Sequence, residues 1–173
     1  MLKSLSCLFA VAIASIAAYP CSLMRDPSTV EMVAGADAIV RVINMGYVVP
    51  PANPNVFTNA EPDSTVLFKV LEVIRGPKQS ELTLHGYVTE VDDFNDAAPP
   101  YNFVRPTGRS GSCFTYSYRS GAQFLLFLKK KPSGEFTPAW YTLGPVNEQL
   151  HSENDPWITW VRREAKKSRS TSK

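Results

Sequence analysis

The densest group of acids in the chain lies in residues 89–96, TEVDDFND, which carry Glu90, Asp92, Asp93 and Asp96. Carboxylates spaced this way suggest calcium, but the stretch lacks the central glycine and closing glutamate of an EF-hand loop. Two of them could serve glycoside hydrolysis, which needs a pair of carboxyl groups at a set separation. Nothing local sets that separation, and the stretch reads as a solvated acidic loop. His85 and His151 are the only histidines. A catalytic zinc takes three protein ligands at suitable spacing, so these two read as surface side chains, and no metal or other cofactor is expected. Ser112, Ser117 and Ser120 sit in no G-x-S-x-G elbow, and no strand-turn-helix pattern surrounds them. No nucleotide loop is visible, and an enzyme is not expected. Tyr101, Phe114, Tyr116 and Tyr118 form an aromatic group around Cys113. It is either a partner-binding face for a protein or glycan, or a cover over the core.

The cysteines take their meaning from the N-terminus. Lys3 precedes an apolar run from Leu5 to Ala18 that is too short to span a membrane and has no stop-transfer flank. Residues 1–18 therefore read as a signal segment, cut after Ala17 or Ala18, and the mature protein as secreted or otherwise extracytoplasmic, without a transmembrane anchor. Cys7 leaves with that segment, and Cys21 and Cys113 remain. An even pair in an oxidising compartment reads first as a disulfide. Closing so long a loop stabilises by about 4–5 kcal/mol in the chain-entropy model. A free thiol is the alternative, although no histidine lies near either cysteine in sequence to act as its base.

The chain has 173 residues, of which 44% are hydrophobic, enough for one domain with a buried core. A formal net charge of +2 argues against nucleic acid as a partner. Residues 19–161 read as the domain, and the basic residues 162–173 as a solvated, disordered tail.

The elements follow from pattern. Asp26-Pro27 reads as the cap and first residue of a short helix with Val30 and Val33 on one face, stopped by Gly35. Strands are expected over 37–49, 65–74, 81–88 with a bend at Gly86, 123–129 and 136–143. In the second, Val66, Phe68 and Val70 share one face and Leu67, Leu71 and Val73 the other. Two apolar faces imply a cover outside the sheet. Asp155-Pro156 opens a last helix with Trp157, Trp160 and Val161 on one face. The whole reads as mainly β: a five-stranded, OB-fold-like Greek-key barrel with a short N-terminal helix and a C-terminal helix.

Three phrases in this order, CSLMRDPSTVEMVAGADAIVRVI, FKVLEVIRGP and CFTYSYRSGAQFLLFLKKKPSGEFTP, resemble the netrin-like domain. That is the OB-fold module shared by the tissue inhibitors of metalloproteinases and their bacterial look-alikes. The resemblance implies a Cys21–Cys113 bond. It also implies that the α-amino group and carbonyl of Cys21 would chelate a protease's zinc if Cys21 were the first mature residue, with Ser22 entering the specificity pocket. The family's second disulfide is absent at both ends: Leu23 stands at one position, and AWYTLG holds no cysteine at the other. The functional expectation is an exported, non-catalytic netrin-like module that binds a protein or glycan through Cys21, Ser22, Phe114, Tyr116 and Tyr118. The alternatives are a metalloprotease inhibitor acting through the Cys21 amine and a carboxylate-dependent hydrolase.

Overall fold

The structure, a computed structural model, describes residues 28–53, 62–95, 98–100, 116–141, 144–145 and 147–170. The described elements are helices α1 (Thr29–Gly35) and α2 (Pro156–Ser170) and ten strands. The strands are β1 (Ala38–Val49), β2 (Thr65–Arg75), β3 (Glu81–His85), β4 (Tyr87–Thr89) and β5 (Ser117–Arg119), then β6 (Gln123–Lys130), β7 (Phe136–Pro138), β8 (Trp140–Tyr141), β9 (Gly144–Pro145) and β10 (Asn147–Gln149). The fold is mainly β. An antiparallel sheet runs β10-β6-β1-β2-β3, and β7 pairs with β6 beyond the end of β10, so the two short strands share one edge. β4 pairs with β5 in parallel.

At β6 and the first half of β1 both faces of the sheet are buried, which is why those stretches read as near-continuous apolar runs. In β6, Leu125 and Phe127 point toward the helices, while Phe124, Leu126 and Leu128 point the other way. The helix side packs Ile39, Leu125 and Phe127 against Met32, Val33, Trp157, Ile158 and Val161. The inner side packs Val40, Val42, Val66, Phe68, Leu84, Phe124 and Leu126 around Tyr118.

Strand β2 departs from strict alternation. Val42 pairs with Val70 and Arg41 with Glu72, so Leu71 has no partner in β1, and this bulge leaves it 39% exposed. A bulge adds one residue to one strand and so reverses the facing of everything beyond it. Val73 therefore returns to the inner core instead of sharing a face with Leu67 and Leu71, and Ile74 packs toward the helices. The strand expected over 81–88 breaks at Gly86, as its bend predicted. A Cβ there would stand 2.6 Å from the Tyr118 ring and 2.8 Å from the Tyr116 carbonyl oxygen, so only glycine lets β3 and β4 pass so close to β5. The strand expected over 136–143 is likewise divided, into β7 and β8.

Helix α1 is capped by Ser28, not by the expected Asp26. Ser28 Oγ accepts from the Glu31 amide at 3.2 Å, and Glu31 Oε2 accepts from the Ser28 amide at 2.7 Å. This reciprocal box satisfies two amides the helix would otherwise leave open. Met32 and Val33 are buried, and Val30 is 52% exposed instead of sharing their face.

Helix α2 starts as expected, with the Asp155 carboxylate accepting from the Trp157 amide at 2.9 Å. It then continues to Ser170 through residues expected to form a solvated tail. The reason is spacing: Val161 and Ala165 fall on the core face, and Arg162 falls over a carboxylate of β2. Arg162 Nε donates to Glu72 Oε1 at 2.8 Å and Nη2 to Oε2 at 2.5 Å. That fork, with Arg41 beside it, holds the Glu72 carboxyl below its ordinary value and raises the Arg162 guanidinium. Arg75, at the end of β2, donates to the Val33 and Ala36 carbonyls of the α1 end and to Ser168 Oγ of α2, tying both helices to one strand. Among the described residues, no helix is long and apolar enough to cross a membrane.

Candidate functional site

Four of the expected site residues, Cys21, Ser22, Cys113 and Phe114, lie outside the described residues, as do Tyr101 and Asp96. The expected Cys21–Cys113 bond lies outside them for the same reason.

The two tyrosines do not form an exposed face. Tyr118 is wholly buried, its ring edge-on to Phe68 (4.9 Å, 79°) and Phe124 (5.3 Å, 80°). β5 is a short strand whose middle residue points into the inner core, and the ring fills the space that Gly86 leaves open. Tyr116 is 8% exposed and contributes to a groove of about 390 Å³ between β3 and β7. His85 lies on the same groove and holds the Pro62 carbonyl oxygen 2.8 Å from its Nδ1. The surface role expected of the tyrosines is thus corrected to core for Tyr118 and to groove wall for Tyr116. Apolar rings on an alternating strand follow whichever face the sheet buries.

The residues that do converge come from the acidic loop and from two segments far from it in sequence. Asp92, from that loop, meets Arg119, the last residue of β5, with Arg119 Nε 3.0 Å from Asp92 Oδ1. Gln149, at the end of β10, donates from Nε2 to the same oxygen at 2.5 Å, and its Oε1 accepts from the Asp93 amide at 2.9 Å. One amide thereby grips the loop at both side chain and backbone. Next to them the Phe94 ring stacks on His151, with centroids 4.5 Å apart and planes 15° apart. His151 Nε2 lies 3.2 Å from the Asn95 carbonyl oxygen. A carbonyl only accepts, so Nε2 carries the proton and a neutral ring keeps Nδ1 as an acceptor.

These groups border a cleft of about 310 Å³ floored by Gln123 at the start of β6. The Gln123 side-chain oxygen is buried without a hydrogen-bond partner among the described residues. Asp92 and Arg119 remain 47% and 35% exposed. Asp92 is the one carboxylate among the described residues lining this cleft. Its neighbours are a guanidinium and an amide, an arrangement suited to exchanging hydrogen bonds with a ligand. The two histidines expected to be surface side chains fall on different grooves, and among the described residues no cluster of three or more His, Cys, Asp or Glu could hold a metal.

Sequence reasoning found the acidic loop but not its partners. Arg119, Gln123 and Gln149 carry no local signature, because they meet Asp92 only through strand pairing. The Phe94–His151 stack follows from the parallel bridge between Phe94 and Gln149. Compared with known proteins, no family model matches this chain and no curated protein matches it.

Proposed function

We propose that this chain is an exported, non-catalytic module of netrin-like, OB-barrel type that binds a protein or glycan partner outside the cytoplasm. The signal-like segment of residues 1–18 supports export. A strongly bulged sheet wrapped around one inner core, with β3 and β7 facing each other across a groove, supports the barrel reading. The binding role rests above all on one observation. The cleft presents two exposed polar side chains already held in place, Asp92 by Gln149 and Arg119 by Asp92. Side chains ordered before binding cost less entropy when a partner arrives. A carboxylate matched to a guanidinium and an amide also favours binding over a two-carboxylate hydrolase.

The test compares immobilised wild-type protein with a D92A/R119A variant. Each is exposed to the extracytoplasmic fraction of the source cells, and the retained proteins and glycans are identified. The module reading expects at least one species held by the wild type and lost from the variant. Identical retention by both proteins would remove it.

A further inference from the structure

We infer that the ligand of the Asp92–Arg119 cleft is an uncharged saccharide, an assignment that rests on the binding-module reading above. The charge in the cleft comes first. Asp92 and Arg119 neutralise each other at 3.0 Å, so the mouth carries little net charge while both side chains stay reachable. A phosphate or an acidic glycan would meet the carboxylate, and a metal ion would meet the guanidinium. A hydroxyl meets no such conflict, because it both donates and accepts. Neighbouring hydroxyls of a sugar ring would find an acceptor in the carboxylate and a donor in the guanidinium. Hydrogen bonds to ionised groups of this kind are the stronger ones.

The floor supplies a second feature. The buried Gln123 oxygen has no partner among the described residues, and an acceptor left unmatched away from water is costly. Gln123 lines the cleft, and a rotation of its side chain that turns this oxygen toward a ligand hydroxyl would relieve that cost on binding. The wall supplies the third. The stacked rings of Phe94 and His151 make a flat platform at the edge of the polar groups. The apolar C–H face of a pyranose ring needs such a surface beside its hydroxyl partners. A cleft of about 310 Å³ is at the small end of the range for ligand sites. It suits one or two sugar units, with the rest of a chain running out over the surface.

The test uses the exported protein, labelled with nitrogen-15, titrated with neutral hexasaccharides of glucose, mannose and N-acetylglucosamine. Amide shifts are followed by NMR, and the protein fraction of the source envelope, stripped of glycan, is offered in parallel. The expected result is saturable shifts confined to residues 92–95, 119–123 and 149–152 with at least one sugar. D92N, F94A and Q123A should each weaken that binding by about tenfold or more. Each variant's undisturbed amide spectrum elsewhere serves as the folding control. Saccharide shifts centred elsewhere, or full affinity in all three variants, would overturn the assignment. Capture of a sugar-free protein that is lost in D92A/R119A, with no saccharide shift, would overturn it while leaving the binding module intact. Silence toward both would remove both.

Discussion

Arg162 of α2 grips Glu72 of β2 through two parallel hydrogen bonds, Nε to Oε1 at 2.8 Å and Nη2 to Oε2 at 2.5 Å. With Arg75 it fixes the C-terminal helix across the outer face of the sheet. A stretch of sequence that looks like loose basic tail is thereby made part of the domain.

The fork has a pH signature. Arg162 holds Glu72 below the ordinary glutamate value of 4.5. A carboxyl depressed on folding contributes stability that is complete above its unfolded value and lost as pH falls through its folded one. Both partners are partly exposed, so the contribution is about 0.5–1 kcal/mol. Urea unfolding at pH 7 and pH 3 should show the E72Q variant losing less stability on acidification than the wild type. Equal losses would mean that the fork does not titrate with folding.

Gly86 is the clearest steric test. An added methyl would stand 2.6 Å from the Tyr118 ring, which is locked between Phe68 and Phe124 and has nowhere to retreat. G86A should destabilise by about 1–3 kcal/mol, read as a lower urea midpoint with an unchanged slope.

Tyr118 should behave as a core residue. Y118A removes a fully buried ring and should cost about 3–5 kcal/mol. Partner binding should fall only in proportion to the fraction unfolded. A well-folded Y118A protein that has lost its partner would return Tyr118 to the binding face.

Asn44 is a polar pin in the inner core. Its Nδ2 donates to the Tyr118 and Arg119 carbonyls at 3.0 Å each, and its Oδ1 accepts from the Gly46 amide at 2.8 Å. N44A removes all three bonds, while the Arg119 carbonyl keeps the Ala122 amide at 3.2 Å, so a loss of about 2–3 kcal/mol is expected. Because one of those carbonyls belongs to Arg119, the Asp92 cleft should also loosen, and amide exchange at residues 117–121 should quicken.

The Cys21–Cys113 bond that the netrin-like resemblance implies is a proposal to be tested by mass. With that bond formed, the protein should gain two hydrogens on reduction and lose about 4–5 kcal/mol of stability with them. An unchanged mass would mean two free thiols. N-terminal analysis of the same sample would also show whether Cys21 begins the mature chain, as zinc chelation requires.

Much of this molecule was legible without coordinates, for a simple reason. Strand and helix identity follow local periodicity: "TVLFKVLEVI" and "QFLLFLK" announce β2 and β6, Asp155-Pro156 announces α2, and Gly86 announces a bend. The choice of face is less local. One bulge at Leu71 reversed the facing of Val73, and the serine at 28 outcompeted the acid at 26 because Glu31 could reciprocate. The fate of the basic C-terminus depended on a carboxylate in a distant strand. The candidate site was least legible of all: its acid lay in plain view, but Arg119, Gln123 and Gln149 acquire meaning only when β5, β6 and β10 bring them to Asp92. Periodicity is written along the chain, whereas a cleft is made by segments that meet only after the sheet has formed.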